Sequence, residues 1–143
     1  LSRNIVARPV WTESMPSILL IDDDLELLRQ MAAAFTAAGY QVQAAPDGEV
    51  GLARFRGAPT DLVVTDIIMP NREGIETIVA LKRASPTVKV VAISGGYRVA
   101  PADFLHLAQH VGADGGLAKP FRLARLIELC ARLLRPPTEA TAA

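Results

Sequence analysis

At 143 residues the chain has room for one domain and not comfortably two. Half of the residues are hydrophobic, which predicts a folded core rather than disorder, and no apolar run approaches the ~18 residues needed to span a bilayer. Formal net charge is zero, giving no general attraction to nucleic acid or an anionic membrane, and the single cysteine, Cys130, excludes an internal disulfide and fits a reducing compartment.

Residues 1 to 15 are expected to precede the domain. Residues 1 to 14 read as an upstream extension, of natural or expression-vector origin, with Met15 as the natural start. SILLI (17–21) is a short apolar run, as expected of a strand buried on both faces. A helix follows over about 24–38, with Leu28, Met31, Ala32 and Phe35 as its inward stripe and Gly39 beyond its end. YQVQAA (40–45) alternates like a strand with one exposed face. Asp47 is placed to cap the second helix, where Gly48, Gly51, Leu52 and Phe55 share a face that permits close packing. DLVVT (61–65) is the third strand. Ile75, Ile78 and Val79 mark a third helix ended by Pro86, and VKVVAI (88–93) is the fourth strand. Pro101 suits the first turn of a fourth helix, with Phe104, Leu107, Ala108 and Val111 as its stripe and Gly112 as its stop. GGLA (115–118) is a fifth strand, weak by propensity. Leu123, Leu126, Ile127, Cys130, Leu133 and Leu134 follow helical spacing in the last helix, and residues 136–143 read as a tail or a cut linker.

Five strand–helix units with short connections predict an α/β domain over residues 16–135, a doubly wound parallel sheet with helices on both faces. Ligands of such sheets bind beyond the carboxyl ends of the strands. The polar residues fall at those ends: Asp22, Asp23 and Asp24 after strand one, Asp66 after strand three, Ser94 after strand four and Lys119 after strand five. Carboxylates that close repel, and a hard divalent cation removes the conflict. A carboxylate can also attack phosphorus to give an aspartyl-phosphate, whose oxygens then need positive charge and hydrogen-bond donors.

These residues carry a resemblance. The acidic pair after ILLI, then TDIIMPNREG, VVAISGG and LAKPF, in this order, resemble the response-regulator receiver domain of two-component signalling over about residues 16–135. The resemblance implies a CheY-like, flavodoxin-like fold with strand order 2-1-3-4-5. It implies Asp66 as phosphoacceptor, Asp22, Asp23, Asp66 and the Ile68 carbonyl as Mg²⁺ ligands, Ser94 as the switch hydroxyl and Lys119 as the lysine that meets the phosphoryl group. Pro120 would follow a commonly cis peptide, and Gly74 would let the loop after Asp66 close. It further implies a cytoplasmic signalling switch rather than an enzyme in the ordinary sense, catalysing only its own phosphorylation and dephosphorylation. The expected donor is a sensor histidine kinase or histidine phosphotransfer protein docking near the first helix and the loop after Lys119. A target or a second copy would meet helix four, strand five and helix five, with no direct contact to nucleic acid or membrane.

The chain departs from the pattern at Gly116, where receivers usually carry Tyr or Phe to couple the hydroxyl to the output surface. Tyr97 or Phe104 is the expected substitute. Ile68 and Gly96 flank the expected path of attacking water without a polar side chain, which implies slow loss of the phosphoryl group. Asp24 reads as a helix cap. His106 and His110 lie one turn apart but without an evident third ligand, Cys130 reads as core, and Arg122, Arg125, Arg132 and Arg135 as a solvated face. Two other readings compete: a pseudo-receiver that binds without phosphorylation, and a haloacid dehalogenase-type phosphatase built on Asp22-x-Asp24. The phosphatase would need a further acidic motif after Lys119, where only Glu128 stands, and would leave TDIIMP unexplained.

Overall fold

A computed structural model describes residues 15–67, 74–95 and 101–135, with residues 101–104 described by their backbone. Its elements alternate strictly: β1 (Ser17–Ile21), α1 (Leu25–Ala37), β2 (Gln41–Ala45), α2 (Gly48–Gly57), β3 (Leu62–Asp66), α3 (Gly74–Ala84), β4 (Lys89–Ser94), α4 (Pro101–His110), β5 (Gly115–Ala118) and α5 (Leu123–Leu134). All strand pairs are parallel, in the order β2-β1-β3-β4-β5. The switch in strand order therefore lies between β1 and β3, and their carboxyl ends open there.

Alternation along each strand divides the core in two. Ile18 and Leu20 of β1 face α1 and α5, packing with Met31, Phe35, Leu126 and Cys130. Leu19 and Ile21 face the opposite side and pack with Leu52, Phe55, Ile78 and Ala108 from α2, α3 and α4. The central strands are apolar on both faces for this reason. The expected caps are in place: Asp24 Oδ1 accepts from the Leu27 amide at 3.1 Å, and Asp47 Oδ1 from the Val50 amide at 2.8 Å. Gly39 and Gly112 take positive φ, 100° and 125°, just past the ends of α1 and α4.

One stripe is corrected. On α4 the apolar contacts to the core come from Leu105, Ala108 and Val111, while Leu107 is 45% exposed. Leu105 and Leu107 fit a helical period about equally well, and the sheet beneath decides between them. The Phe104 side chain lies outside the described residues, as do Tyr97, Gly96 and Ile68 and the terminal segments 1–14 and 136–143. Among the described residues, no helix is long and apolar enough to cross a membrane.

Candidate functional site

β1 and β3 deliver carboxylates to the open end of the sheet. Asp66 is the last residue of β3, paired in register with Ile93, and Asp22 follows β1 with its amide bonded to the Ala45 carbonyl at 3.2 Å. Both side chains are buried, Asp22 completely. β5 delivers Lys119 across the gap. Its Nζ stands 2.8 Å from Asp66 Oδ2 and 3.0 Å from Asp22 Oδ2, and its amide donates to the Ser94 carbonyl at 2.7 Å. The Lys119–Pro120 peptide is cis, as the resemblance implied.

Glycines make the approach possible. A Cβ on Gly95 would lie 2.7 Å from Lys119 Cδ and 2.9 Å from its Cβ, so the lysine stem reaches the carboxylates over a residue that has no side chain. A Cβ on Gly74 would overlap the Ile67 backbone and lie 2.6 Å from the Asp66 carbonyl oxygen. The start of α3 is thereby seated directly against the end of β3. The first glycine was not singled out from the sequence for this purpose, because its partner is 24 positions away.

Three carboxylates share the site. Oxygens of Asp22, Asp23 and Asp66 lie within 4.8 Å of one another, with Asp23 exposed and the other two buried. Asp22 is pushed up from 3.8 to about 6, chiefly by burial and further by the Asp66 charge, while the Asp24 amide and Lys119 pull it down. The Asp24 amide does so by donating to Asp22 Oδ1 at 2.8 Å. Burial alone would lower Lys119, but the Asp66 and Asp22 carboxylates outweigh it and hold the ammonium above its ordinary value. One ammonium thus meets two buried carboxylates, with the exposed Asp23 beside them, and a charge cluster of this kind costs stability unless a ligand completes it.

The donor set fits a hard divalent cation. It consists of oxygens alone, close enough for one small ion to reach all three side chains, with the exposed Asp23 leaving a side open to water. The Ser94 hydroxyl adds a second unmet demand: it is fully buried and has no hydrogen-bond partner among the described residues. The structure brings together Asp22, Asp23, Asp66 and Lys119, places Ser94 at the end of the neighbouring strand, and leaves the expected Ile68 carbonyl outside the described residues. It adds nothing to the His106–His110 pair: both are exposed, and the acidic trio is the one metal-ligating cluster among the described residues. Cys130 is fully buried and its thiol is pushed up to about 12 by that burial, as a core residue.

Known proteins share this fold. The sequence matches the response regulator receiver domain family over residues 18–131. It is 33% identical over 122 residues to the transcriptional regulatory protein PrrA of Mycobacterium leprae, covering 85% of this chain and 51% of that protein. It is 32% identical over 124 residues to the response regulator ArlR of Staphylococcus epidermidis, covering 85% and 53%. The chain spans about half the length of the curated relatives it matches. Among solved structures, the chemotaxis protein CheY4 of Vibrio cholerae superposes with a TM-score of 0.75 at 27% identity, over 84% of this chain and 99% of that one. A CheY-like receiver domain protein of Methanospirillum hungatei superposes with a TM-score of 0.75 at 26% identity, over 84% and 94%. With its fold, strand order and acidic cluster in agreement, the chain belongs to the response regulator receiver domain family.

Proposed function

We propose that this chain is a phosphorylation-dependent signalling switch whose phosphoacceptor is Asp66. The observation that carries the reading is the convergence of a buried Asp66 with Lys119 at 2.8 Å, a second buried carboxylate, and a buried serine hydroxyl lacking a partner among the described residues. An Asp66 carboxylate oxygen attacks the phosphorus of a phosphohistidine. The new O–P bond gives an acyl phosphate, the N–P bond breaks, and the imidazole leaves with the bonding pair. Lys119 offers its ammonium to the phosphoryl oxygens it now offers to carboxylates, and Ser94 donates its O–H to another. Asp22, Asp23 and Asp66, with the Ile68 carbonyl expected as a further ligand, would hold Mg²⁺, which would supply charge neutralisation.

The functional domain in this reading is residues 16–135, in the cytoplasm, with a sensor histidine kinase or phosphotransfer protein as donor. A groove of about 440 Å³ between α1 and the segment joining β5 to α5, lined by Leu27, Gln30, Lys119 and Phe121 among others, gives such a donor access beside Lys119. The output passes to a protein target or second copy at the α4–β5–α5 face.

Incubation with acetyl phosphate and Mg²⁺ tests the reading by intact mass. The expected result is a gain of one phosphoryl group, absent in Asp66→Asn. No gain in the wild-type chain would leave a pseudo-receiver, and steady phosphate release from many monoesters would point to a phosphatase.

A further inference from the structure

The space over Gly116 is filled from α4. A Cβ on Gly116 would lie 2.9 Å from Leu105 Cδ2, 3.7 Å from Leu105 Cγ and 3.3 Å from the Ala92 carbonyl oxygen. Gly116 pairs with Ala92 in the β4–β5 register, and two positions on, Ala118 pairs with Ser94. Alternate residues of a strand look to the same side. Ala92, Ser94, Gly116 and Ala118 therefore share one face, and it is the α4 face, since Ala92 packs in the cluster that holds Ala108 and Leu105. Leu105 thus sits one pair of residues below the buried Ser94 hydroxyl, which has no partner among the described residues, with no side chain of β5 between it and the sheet.

We propose that Leu105, seated on Gly116, is the group through which α4 reads the position of Ser94. The inference rests on phosphorylation of Asp66 as proposed above. When the Ser94 hydroxyl turns toward a phosphoryl group, it withdraws from the α4 face of β4. Packed interiors respond to a change of this size by shifting between discrete arrangements rather than by deforming smoothly. The side chain next in line is Leu105. Because Leu105 belongs to α4, its movement is a movement of the helix, and the exposed His106 and His110 carry it to the surface. No aromatic ring on β5 is required, so the glycine is a condition of this route and not a defect in the usual one.

The test uses the full chain with ¹³C-methyl leucine and ¹⁵N labels, titrated with beryllofluoride and Mg²⁺, alongside the acetyl phosphate mass measurement. Leu105→Met identifies the Leu105 methyl signals. The proposal expects those methyls and the amides of residues 106–110 to shift in the wild-type chain. In Leu105→Ala the mass gain persists, the α4 amide response falls at least about threefold, and beryllofluoride affinity changes with it, because coupling between two sites is reciprocal. Leu107→Ala leaves the response intact. A wild-type chain that gains one phosphoryl group while the Leu105 methyls stay put overturns this proposal and leaves the proposed function standing. So does a Leu105→Ala chain that loses thermal stability alone, with affinity and α4 response unchanged. Absence of any mass gain in the wild type removes the phosphorylation reading and this one with it. The wild-type methyl measurement needs no variant, so a Leu105→Ala chain that fails to fold leaves the test in force.

Discussion

Asp22 carries its carboxyl into the protein interior at an electrostatic cost. Its carboxyl is fully buried and raised from 3.8 to about 6, mainly by loss of water and partly by the neighbouring Asp66. A carboxyl raised on folding binds its proton more tightly in the native state. Its contribution to stability is complete below about pH 3.8 and is lost as pH rises through about 6. Asp22→Asn removes that loss. In EDTA, urea unfolding should find Asp22→Asn more stable than the parent by an amount that grows between pH 4 and 6 and levels off at about 2–3 kcal/mol near pH 7. A difference that stays flat across that window would mean Lys119 compensates the charge fully. Cys130 is the instructive contrast. It too is raised by burial, yet it lies among apolar side chains with no charged partner, so a perturbed group marks a site only where partners converge.

Element packing explains why particular glycines stand where they do. On α2, a Cβ at Gly51 would collide with Ile21 Cδ1 and lie 2.8 Å from its Cγ1, whereas a Cβ at Gly57 would meet nothing within 4 Å. Overpacking a full core costs about 1–3 kcal/mol, against a helix gain of up to about 1 kcal/mol for replacing glycine with alanine. Gly51→Ala should therefore destabilise, by roughly 1–2 kcal/mol in urea midpoint measurements, and Gly57→Ala should be neutral or slightly stabilising. Gly51→Ala also presses on the residue before Asp22, so its cost should extend to phosphorylation rate. The face shared by Gly48, Gly51, Leu52 and Phe55 was legible from spacing alone, because each position answers to one strand layer. The face of α4 was not. Leu105 and Leu107 are equivalent to a helical period, and only the missing side chain at Gly116, in a strand that follows α4, makes room for Leu105. A pattern read along one helix cannot register a vacancy in the strand beneath it.

The whole molecule explains why the acidic site depends on folding. Strand ends named the site residues in advance, since a parallel sheet gathers whatever follows its strands. What the sequence could not express was that Lys119 serves Asp22 and Asp66 together, or that Ser94 would end buried without a partner among the described residues, because both facts depend on side-chain placement across β1, β3, β4 and β5. The three carboxylates of Asp22, Asp23 and Asp66 come within 4.8 Å of one another only on folding, since Asp22 and Asp66 lie 44 positions apart in the chain. In the unfolded chain Asp66 is far from Asp22 and Asp23, so a divalent ion finds there only the local, solvated Asp22–Asp24 run. A ligand that binds the native state alone stabilises it by mass action, by about 1.4 kcal/mol at ten times its dissociation constant. For a domain of this size that is a rise in Tm of roughly 4–6 °C. Calorimetry in excess Mg²⁺ should show such a rise over the same chain in EDTA at matched ionic strength. Asp23→Asn should abolish most of it while leaving the EDTA Tm nearly unchanged, because Asp23 is exposed and its neutralisation disturbs no core packing. An equal rise in Asp23→Asn would place the ion somewhere other than this cluster.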